Sequence, residues 1–262
     1  MALGCTNVAR RSQPVRLGVQ LYTLRESLER DFDGTLSGLA ALGIRHVELA
    51  GTYDLGAAGL RSRLDAHGLS ACGAHVGMDA LRDDLAGVVS DAETLGHRYV
   101  VLPWVGEEDY AAGWDELGRT LSAVGASLGA AGLQFAYHNH AFEFAVSGSG
   151  TCLDALFAAA DSATVQAEID VAWVGHAGHD AGVLIRRLGS RVPLVHLKDF
   201  AGGQEAVDVA AGEGVVPWDD VLAACEEVGT AFGIIELDHP PEDPLESVRK
   251  CVAFFQSRGL SG

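Results

Sequence analysis

The 262-residue sequence contains few basic residues and no long apolar run. Lys and Arg together number 18 against 36 Asp and Glu, which gives a formal net charge of -18 at pH 7. A chain with so few cations would repel a phosphate backbone, so nucleic acid is not an expected partner. No segment approaches the roughly 18 apolar residues of a membrane-spanning helix, so no membrane partner is expected either.

The five cysteines are scattered and include no C-x-x-C pair. An odd and dispersed set argues against a disulfide framework and favours reduced thiols, so we expect a cytoplasmic location. Residues 1–15 lack the apolar stretch of a signal peptide, and we expect them to form a flexible tail. If the sequence is a piece of a longer chain, Cys5 in its Ala-Leu-Gly-Cys segment would instead be an export or lipidation site.

A phosphate-binding loop is also missing at the places where the common folds carry one. The first predicted strand runs into YTLRESLERD rather than into G-x-G-x-x-G. An open doubly wound sheet with a nicotinamide cofactor is therefore the less favoured alternative. Residues 199–218 show no glycine-rich phosphate loop of the kind that barrels carry after their last strands, so a phosphorylated substrate is not assured.

Short apolar segments alternate with amphipathic segments eight times along the chain. The predicted strands cover residues 16–21, 45–49, 70–76, 98–103, 133–139, 164–170, 192–198 and 232–237. Segments such as YVVLPW and FGIIEL are apolar almost throughout, which is typical of parallel strands buried on both faces. The predicted helices begin near Asp or Pro, and several end at Gly. The sequence therefore predicts a single-domain (β/α)8 TIM barrel over residues 16–262.

Polar side chains lie at or just past the ends of the later predicted strands, where barrel enzymes place their chemistry. Four of them would converge on one divalent metal ion: Glu143, Asp170, His196 and Glu236. A single acid at a strand end is more often a helix cap or a solvated loop residue. Chance is much less expected to place such side chains at the strand ends of four successive β/α units, so we predict a metal site.

The remaining polar and aromatic residues at the strand ends are candidates for substrate binding and proton transfer. The residues expected to form the substrate wall are Tyr22, Glu48, His75 and Trp104. The residues expected to move protons are Glu143, His138, His140, Glu236 and Lys198, with one of the first three as the base. Each also has a structural interpretation, as a loop hydrogen-bonding partner or ordinary packing.

A family resemblance lies in five segments and the late EL-D strand: LGVQLYTLRE, GIRHVELAG, AYHNHAFEF, EIDVAWVGHAG and VHLKD. They resemble the sugar phosphate isomerase/epimerase family of xylose isomerase-like TIM barrels, and the likeness extends from about Arg16 onward. The resemblance implies one divalent ion held by Glu, Asp, His and Glu at the ends of strands five to eight. Asp170, His196 and Glu236 match the last three of these ligands.

The first ligand departs from the family pattern. Many relatives place Glu directly before the Asn of strand five, where this chain has His138. Glu143 is our preferred first ligand, and His138 is the alternative. A site of carboxylates with one imidazole favours Mn²⁺ or Mg²⁺, although Zn²⁺ and Co²⁺ also accept it.

The resemblance implies isomerisation or epimerisation of a sugar or keto-sugar through a metal-stabilised enediolate. A dehydratase or lyase of the inosose dehydratase type shares the first steps and is the alternative. A family 2 AP endonuclease would need a basic DNA-binding face that this chain does not offer. A sugar-binding barrel without turnover is a further alternative. Dimers and tetramers are common among relatives, so a homo-oligomer is an alternative to a monomer.

Overall fold

The computed structural model describes residues 14–203 and 205–262 of the chain. Most of the expected tail, including Cys5, lies outside the described residues, whereas Val15 is buried. The four cysteines within the described part are buried and unpaired. No helix in this part of the chain combines the length and the apolar character needed to cross a membrane.

Eight parallel strands close into a barrel, which confirms the predicted (β/α)8 fold. Each strand pairs with its neighbours in the sequence, and the first strand pairs with the last. Numbered in chain order, the barrel strands are β1 (Arg16–Gln20), β2 (His46–Leu49), β3 (Ser70–His75), β4 (Tyr99–Leu102), β5 (Gln134–His138), β6 (Val165–Asp170), β7 (Leu194–Leu197) and β8 (Phe232–Ile235). Their ends fall within one or two residues of the predicted ends.

Every barrel strand is followed by at least one helix. The helices are α1 (Arg25–Arg30), α2 (Phe32–Ala41), α3 (Gly56–Ala66), α4 (Met78–Asp83), α5 (Leu85–Leu95), α6 (Trp114–Ala130), α7 (Cys152–Ala159), α8 (Val171–His176), α9 (Ala181–Leu188), α10 (Trp218–Val228) and α11 (Pro244–Gln256). Side chains of Asp31 and Asp84 cap α2 and α5, as the start signals predict. The stop signals also hold, because Gly96 and Gly229 follow α5 and α10 in the left-handed conformation.

The loop after β7 is tied to the barrel by one buried carboxylate. Asp199–Phe200 pairs with Asp208–Val209 in a two-stranded antiparallel sheet, and a similar short sheet joins Val146–Ser147 to Gly150–Thr151. The Asp199 carboxylate accepts hydrogen bonds from five donors: the main-chain N–H groups of Phe200, Gly212, Gly214 and Val216, and the indole N–H of Trp218. This one side chain therefore holds the segment that leads into α10.

Replacing Asp199 should release this loop. Asp199→Ala leaves buried donors without an acceptor, so we expect the free energy of unfolding to fall by about 3 kcal/mol. Thermal unfolding and limited proteolysis of residues 200–218 measure the effect. The control is Asp91→Ala, because Asp91 is exposed on α5. A change as small as that of the control would mean that Asp199 does not anchor the loop.

Candidate metal centre

The polar residues at the strand ends lie above an apolar layer inside the barrel. Side chains two apart on a strand share a face, so Leu194 lies below His196 and Ile234 lies below Glu236. Leu194 and Ile234 belong to a compact buried cluster whose other members are Cys72, Tyr99, Val101, Ala136 and Phe232. Because this layer keeps water out from below, the polar groups above it must satisfy one another or a bound ligand.

His196 lies between carboxylates on both sides of its ring. Its Nδ1 is 2.8 Å from Glu236 Oε2, and its Nε2 is 2.8 Å from Glu48 Oε2 and 3.2 Å from Glu168 Oε2. The imidazole is fully buried. Burial disfavours the charged ring, but Glu168, Glu236 and Glu48 outweigh it and raise the pKa of His196 well above its usual range. A divalent ion bound by this ring would take the place of one of its protons, because ligation requires the neutral imidazole.

Glu48 lies beneath the cavity, fully buried, and acts as a partner of the imidazoles. Its Oε2 accepts a hydrogen bond from Gln20 Nε2 at 2.8 Å and lies 3.2 Å from His75 Nε2. A register shift between β2 and β3 places Glu48 opposite Gly73. A Cβ at Gly73 would lie 3.1 Å from Glu48 Oε1, so the glycine leaves room for the carboxylate.

Glu168 is a buried acid that our sequence reasoning missed. It lies two residues before Asp170 on β6, so both side chains face the barrel interior. Its Oε2 is 3.0 Å from His75 Nε2 and 3.3 Å from His138 Nδ1. Burial and the charge of Glu48 raise the pKa of Glu168 to about 7. The signal that would have found it is an acid two residues before Asp170, and so at the same parity, in the strand VQAEID.

Two overlapping groups of side chains have the arrangement needed to hold a metal ion, and the ligand atoms of each group lie within 4.8 Å of one another. One group is His75, His138, Glu168 and His196. The other is His138, Asp170, His196 and Glu236. The second group brings together three of the predicted ligands and the alternative first ligand, His138.

Two ligand atoms of the second group have no hydrogen-bonding partner in the described protein. They are His138 Nδ1 and Asp170 Oδ2, both buried. The contact of His138 Nδ1 with Glu168 at 3.3 Å is close, but it lacks the geometry of a hydrogen bond. Burial, with His196 nearby, lowers the pKa of His138 well below its usual range, and metal ligation requires this neutral imidazole. Since unpaired buried polar atoms are rare, these residues fit a divalent ion.

Asp170 is both a helix cap and a candidate ligand. Its Oδ1 accepts hydrogen bonds from the main-chain N–H groups of Ala172 and Trp173, at 2.9 and 3.0 Å, and so begins α8. This leaves Oδ2 free to face the site. Burial raises the pKa of Asp170 to about 7, although Lys198 opposes the shift. The structural and functional interpretations of a strand-end acid therefore apply to different oxygens of one carboxyl group.

Glu143, the preferred first ligand, belongs to neither metal group. Its Oε1 accepts a hydrogen bond from Tyr137 Oη at 2.9 Å, and its Oε2 accepts one from the main-chain N–H of His140 at 2.9 Å. The carboxyl is fully buried, and burial raises its pKa to about 7. In this arrangement Glu143 holds the segment that carries His138 and His140.

Lys198 extends the polar group beyond His196 on the same face. Its Nζ forms an ion pair with Asp238 and lies 4.0 Å from Asp170 Oδ2 and 3.9 Å from Glu236 Oε2. It also lies 4.8 Å from the centre of the Trp173 ring. Burial favours the neutral amine, but the carboxylates, led by Asp170, outweigh it and raise the pKa of Lys198. The side chain is therefore a buried ammonium beside the candidate ligands.

A cavity of about 660 Å³ opens above these residues. His75, His138, His140 and Glu236 line it, together with Tyr22, Trp104 and Trp173. Tyr22 is 43% exposed and Trp104 is 56% exposed. Three of the four predicted wall residues thus line the cavity, and Glu48 is the one that lies below it. The arrangement combines a floor of metal-ligating side chains with a partly aromatic wall.

Comparison with known proteins supports this fold. A family model described as xylose isomerase-like TIM barrel matches residues 36–257. A solved sugar phosphate isomerase/epimerase from Parabacteroides distasonis is 19% identical with a TM-score of 0.83, over 97% of this chain and 100% of that one. A probable 3-DHS dehydratase, AsbF, from Bacillus anthracis is 13% identical with a TM-score of 0.73, over 94% and 100%. An IolI protein with a zinc atom is 15% identical with a TM-score of 0.69, over 95% and 100%.

At these identities the three structures establish the fold alone. No curated protein matches the sequence.

Paired substitutions distinguish the two candidates for the first ligand. His138→Gln removes a ligand atom from both metal groups, so we expect Zn²⁺ affinity to fall at least about tenfold. Glu143→Gln should reduce the affinity less, because that carboxyl bonds only to Tyr137 and His140 in the structure. Competition between the EDTA-treated protein and a chromophoric chelator measures both. A larger loss in Glu143→Gln would assign the role to Glu143.

Glu48 should support metal binding without being a ligand. A carboxylate behind a ligating histidine fixes the orientation of its ring, and losing such a partner typically costs about 10- to 100-fold in metal affinity. We therefore expect Glu48→Gln to weaken Zn²⁺ binding by this factor while the fold, followed by circular dichroism, is retained. Glu93→Gln is the matched control, because Glu93 is exposed on α5. Equal affinities in the two variants would remove Glu48 from the site.

Proposed function

Because the chain belongs to the xylose isomerase-like TIM barrel family, we propose that it is a divalent-metal-dependent enzyme that isomerises or epimerises a sugar or keto-sugar. The observation that carries this proposal is the second metal group, where unpaired His138 Nδ1 and Asp170 Oδ2 meet His196 and Glu236 beneath an open cavity. A buried set of this kind, at the strand ends of a barrel, is typical of a catalytic site.

The composition of this group bears on which metal it binds. Two imidazoles and two carboxylates, without cysteine, suit Zn²⁺, Co²⁺ or Mn²⁺. Mg²⁺ prefers oxygen ligands and keeps its waters, so a group that contains His138 favours it less than a group that contains Glu143 would. A divalent ion held here would polarise a substrate carbonyl and so make the adjacent C–H more acidic.

The side chains around the group supply the proton transfers. His140 lines the cavity, and burial lowers its pKa to about 4, so near pH 7 its neutral imidazole can accept a proton. Burial works against ionisation of Glu236, but His196 and Lys198 outweigh it and hold the pKa of Glu236 at about 2. Glu236 is therefore a carboxylate at neutral pH, as metal ligation requires, and it must first accept a proton before it can return one to the substrate.

Dehydration is the second candidate reaction, and the position of Lys198 favours it. A buried ammonium beside Glu236 and Asp170 can donate a hydrogen bond or a proton to a departing hydroxyl group. The similarity to a protein described as a probable dehydratase points the same way. Both reactions begin with the removal of a proton next to a carbonyl, so one experiment covers the shared step.

The test is solvent exchange of that proton. Keto-sugars and keto-inositols are incubated in D₂O with protein reloaded with Zn²⁺, Mn²⁺ or Co²⁺, and deuterium at the carbon next to the carbonyl is followed by NMR. We expect exchange with the loaded protein, none after EDTA treatment, and at least about a hundredfold loss in Glu236→Gln. The appearance of an elimination product would select dehydration.

The control for this experiment is Glu93→Gln, which lies on the outer surface of α5 and should exchange at the wild-type rate. Full exchange in the EDTA-treated protein, or in Glu236→Gln, would contradict the proposal. Binding of a keto-sugar without any exchange would favour a sugar-binding barrel that lacks turnover.

A further inference from the structure

We propose that the cavity accepts an uncharged sugar carrying a second ring, and that it discriminates against phosphorylated sugars. This inference rests on the proposed function and names the substrate class of the same site. It follows from three features of the cavity: the engagement of the nearby cations, the acids along its wall and the aromatic side chains at its mouth.

The Lys and Arg side chains closest to the cavity already have partners. The described lining residues include no Lys or Arg. The Lys198 ammonium pairs with Asp238 and lies near Asp170 and Glu236. A phosphate group is usually bound by free Arg or Lys donors or by exposed main-chain N–H groups, so Lys198 is poorly placed to receive one.

Arg25 is the second cation close to the mouth, and its donors are directed at the main chain. Its Nη1 donates to the carbonyl oxygen of Tyr22 at 2.9 Å, and its Nη2 donates to that of Asp238 at 2.8 Å. Its guanidinium also lies 4.2 Å from the centre of the Tyr22 ring. Two of the five N–H donors of Arg25 are therefore engaged with the main chain, and its guanidinium packs on the Tyr22 ring, so Arg25 shapes the mouth and has fewer donors left for an anion.

Two carboxylates outside the second metal group form part of the cavity wall. Asp208 and Asp238 both line the cavity. If a divalent ion were held by Asp170 and Glu236, the charges of these two carboxylates would offset its own. The charge of Asp238 offsets that of Lys198, which leaves Asp208 facing the cavity. A phosphate placed here would meet a like charge, whereas sugar hydroxyl groups can donate hydrogen bonds to both acids.

Aromatic side chains also line the cavity and its mouth, and they favour a ring as the substituent. Trp104 and Tyr22 expose 56% and 43% of their surface at the mouth, and Trp173 lies deeper. The C–H face of a sugar packs well against such rings. The cavity volume of about 660 Å³ is also larger than one hexose requires and falls in the range typical of larger ligands.

Three ketoses that differ only at one oxygen test the proposal by calorimetry on the Zn²⁺-loaded protein. They are fructose, fructose 6-phosphate and 6-O-α-glucosyl-fructose. We expect the glucosyl-fructose to bind about tenfold more tightly than fructose, and fructose 6-phosphate to bind at least about tenfold more weakly. Raising the salt concentration should reduce the penalty for the phosphate, because screening weakens like-charge repulsion.

Two variants assign these effects to residues. Trp104→Ala should reduce the affinity for glucosyl-fructose more than the affinity for fructose. Asp208→Asn, which keeps an oxygen to accept the hydrogen bond from the His239 main chain, should improve binding of fructose 6-phosphate relative to fructose. Fructose 6-phosphate binding as tightly as fructose would overturn the proposal, and so would glucosyl-fructose binding no better than fructose. Failure of all three to bind would overturn it as well.

The binding experiment tests the substrate class, and its failure can be distinguished from failure of the proposed reaction in the exchange experiment. Selective binding of glucosyl-fructose without solvent exchange would sustain the substrate class while contradicting the proposed reaction. Solvent exchange on fructose 6-phosphate, in preference to the neutral sugars, would sustain the reaction and overturn the substrate class.

Discussion

Inside the barrel, His196 separates carboxylates that would otherwise repel one another across a space closed to water from below. Glu236 meets one side of its ring, and Glu48 and Glu168 meet the other. Carboxylates this close can coexist in a buried site only when cationic or donor groups lie between them. His75 and Gln20 add such contacts from the first half of the barrel. The candidate metal centre therefore depends on strands from both halves, although the side chains of the second metal group all come from the second half.

The fold follows from local patterns in the sequence. Eight apolar segments alternating with amphipathic ones are enough to place the strands, because parallel strands covered on both faces have a distinctive composition. Asp170 and His196 could be predicted as candidate site residues because they lie at or next to the last residues of β6 and β7, and strand ends are defined by the same pattern. Their convergence with Glu236 is a consequence of closing the barrel.

Other parts of the candidate site depend on contacts that the pattern does not contain. Glu168 lies within a buried strand, where an acid has no local signal beyond its parity with Asp170. The position of Glu143 depends on the turn after β5, and its hydrogen bonds to Tyr137 and His140 draw the carboxyl away from the second metal group. The burial of Glu48 results from a register shift opposite Gly73. Each of these is a tertiary effect on a residue that the sequence could only place at a strand.

The two oxygens of Asp170 give this residue an unusual value for dissecting the molecule. Oδ1 begins α8, while Oδ2 faces the candidate metal group. An asparagine in its place would keep an oxygen for the helix and lose the negative charge, whereas an alanine would lose both. Comparing the two substitutions separates the architecture of the barrel rim from its chemistry at a single position, which few residues in a buried cluster allow.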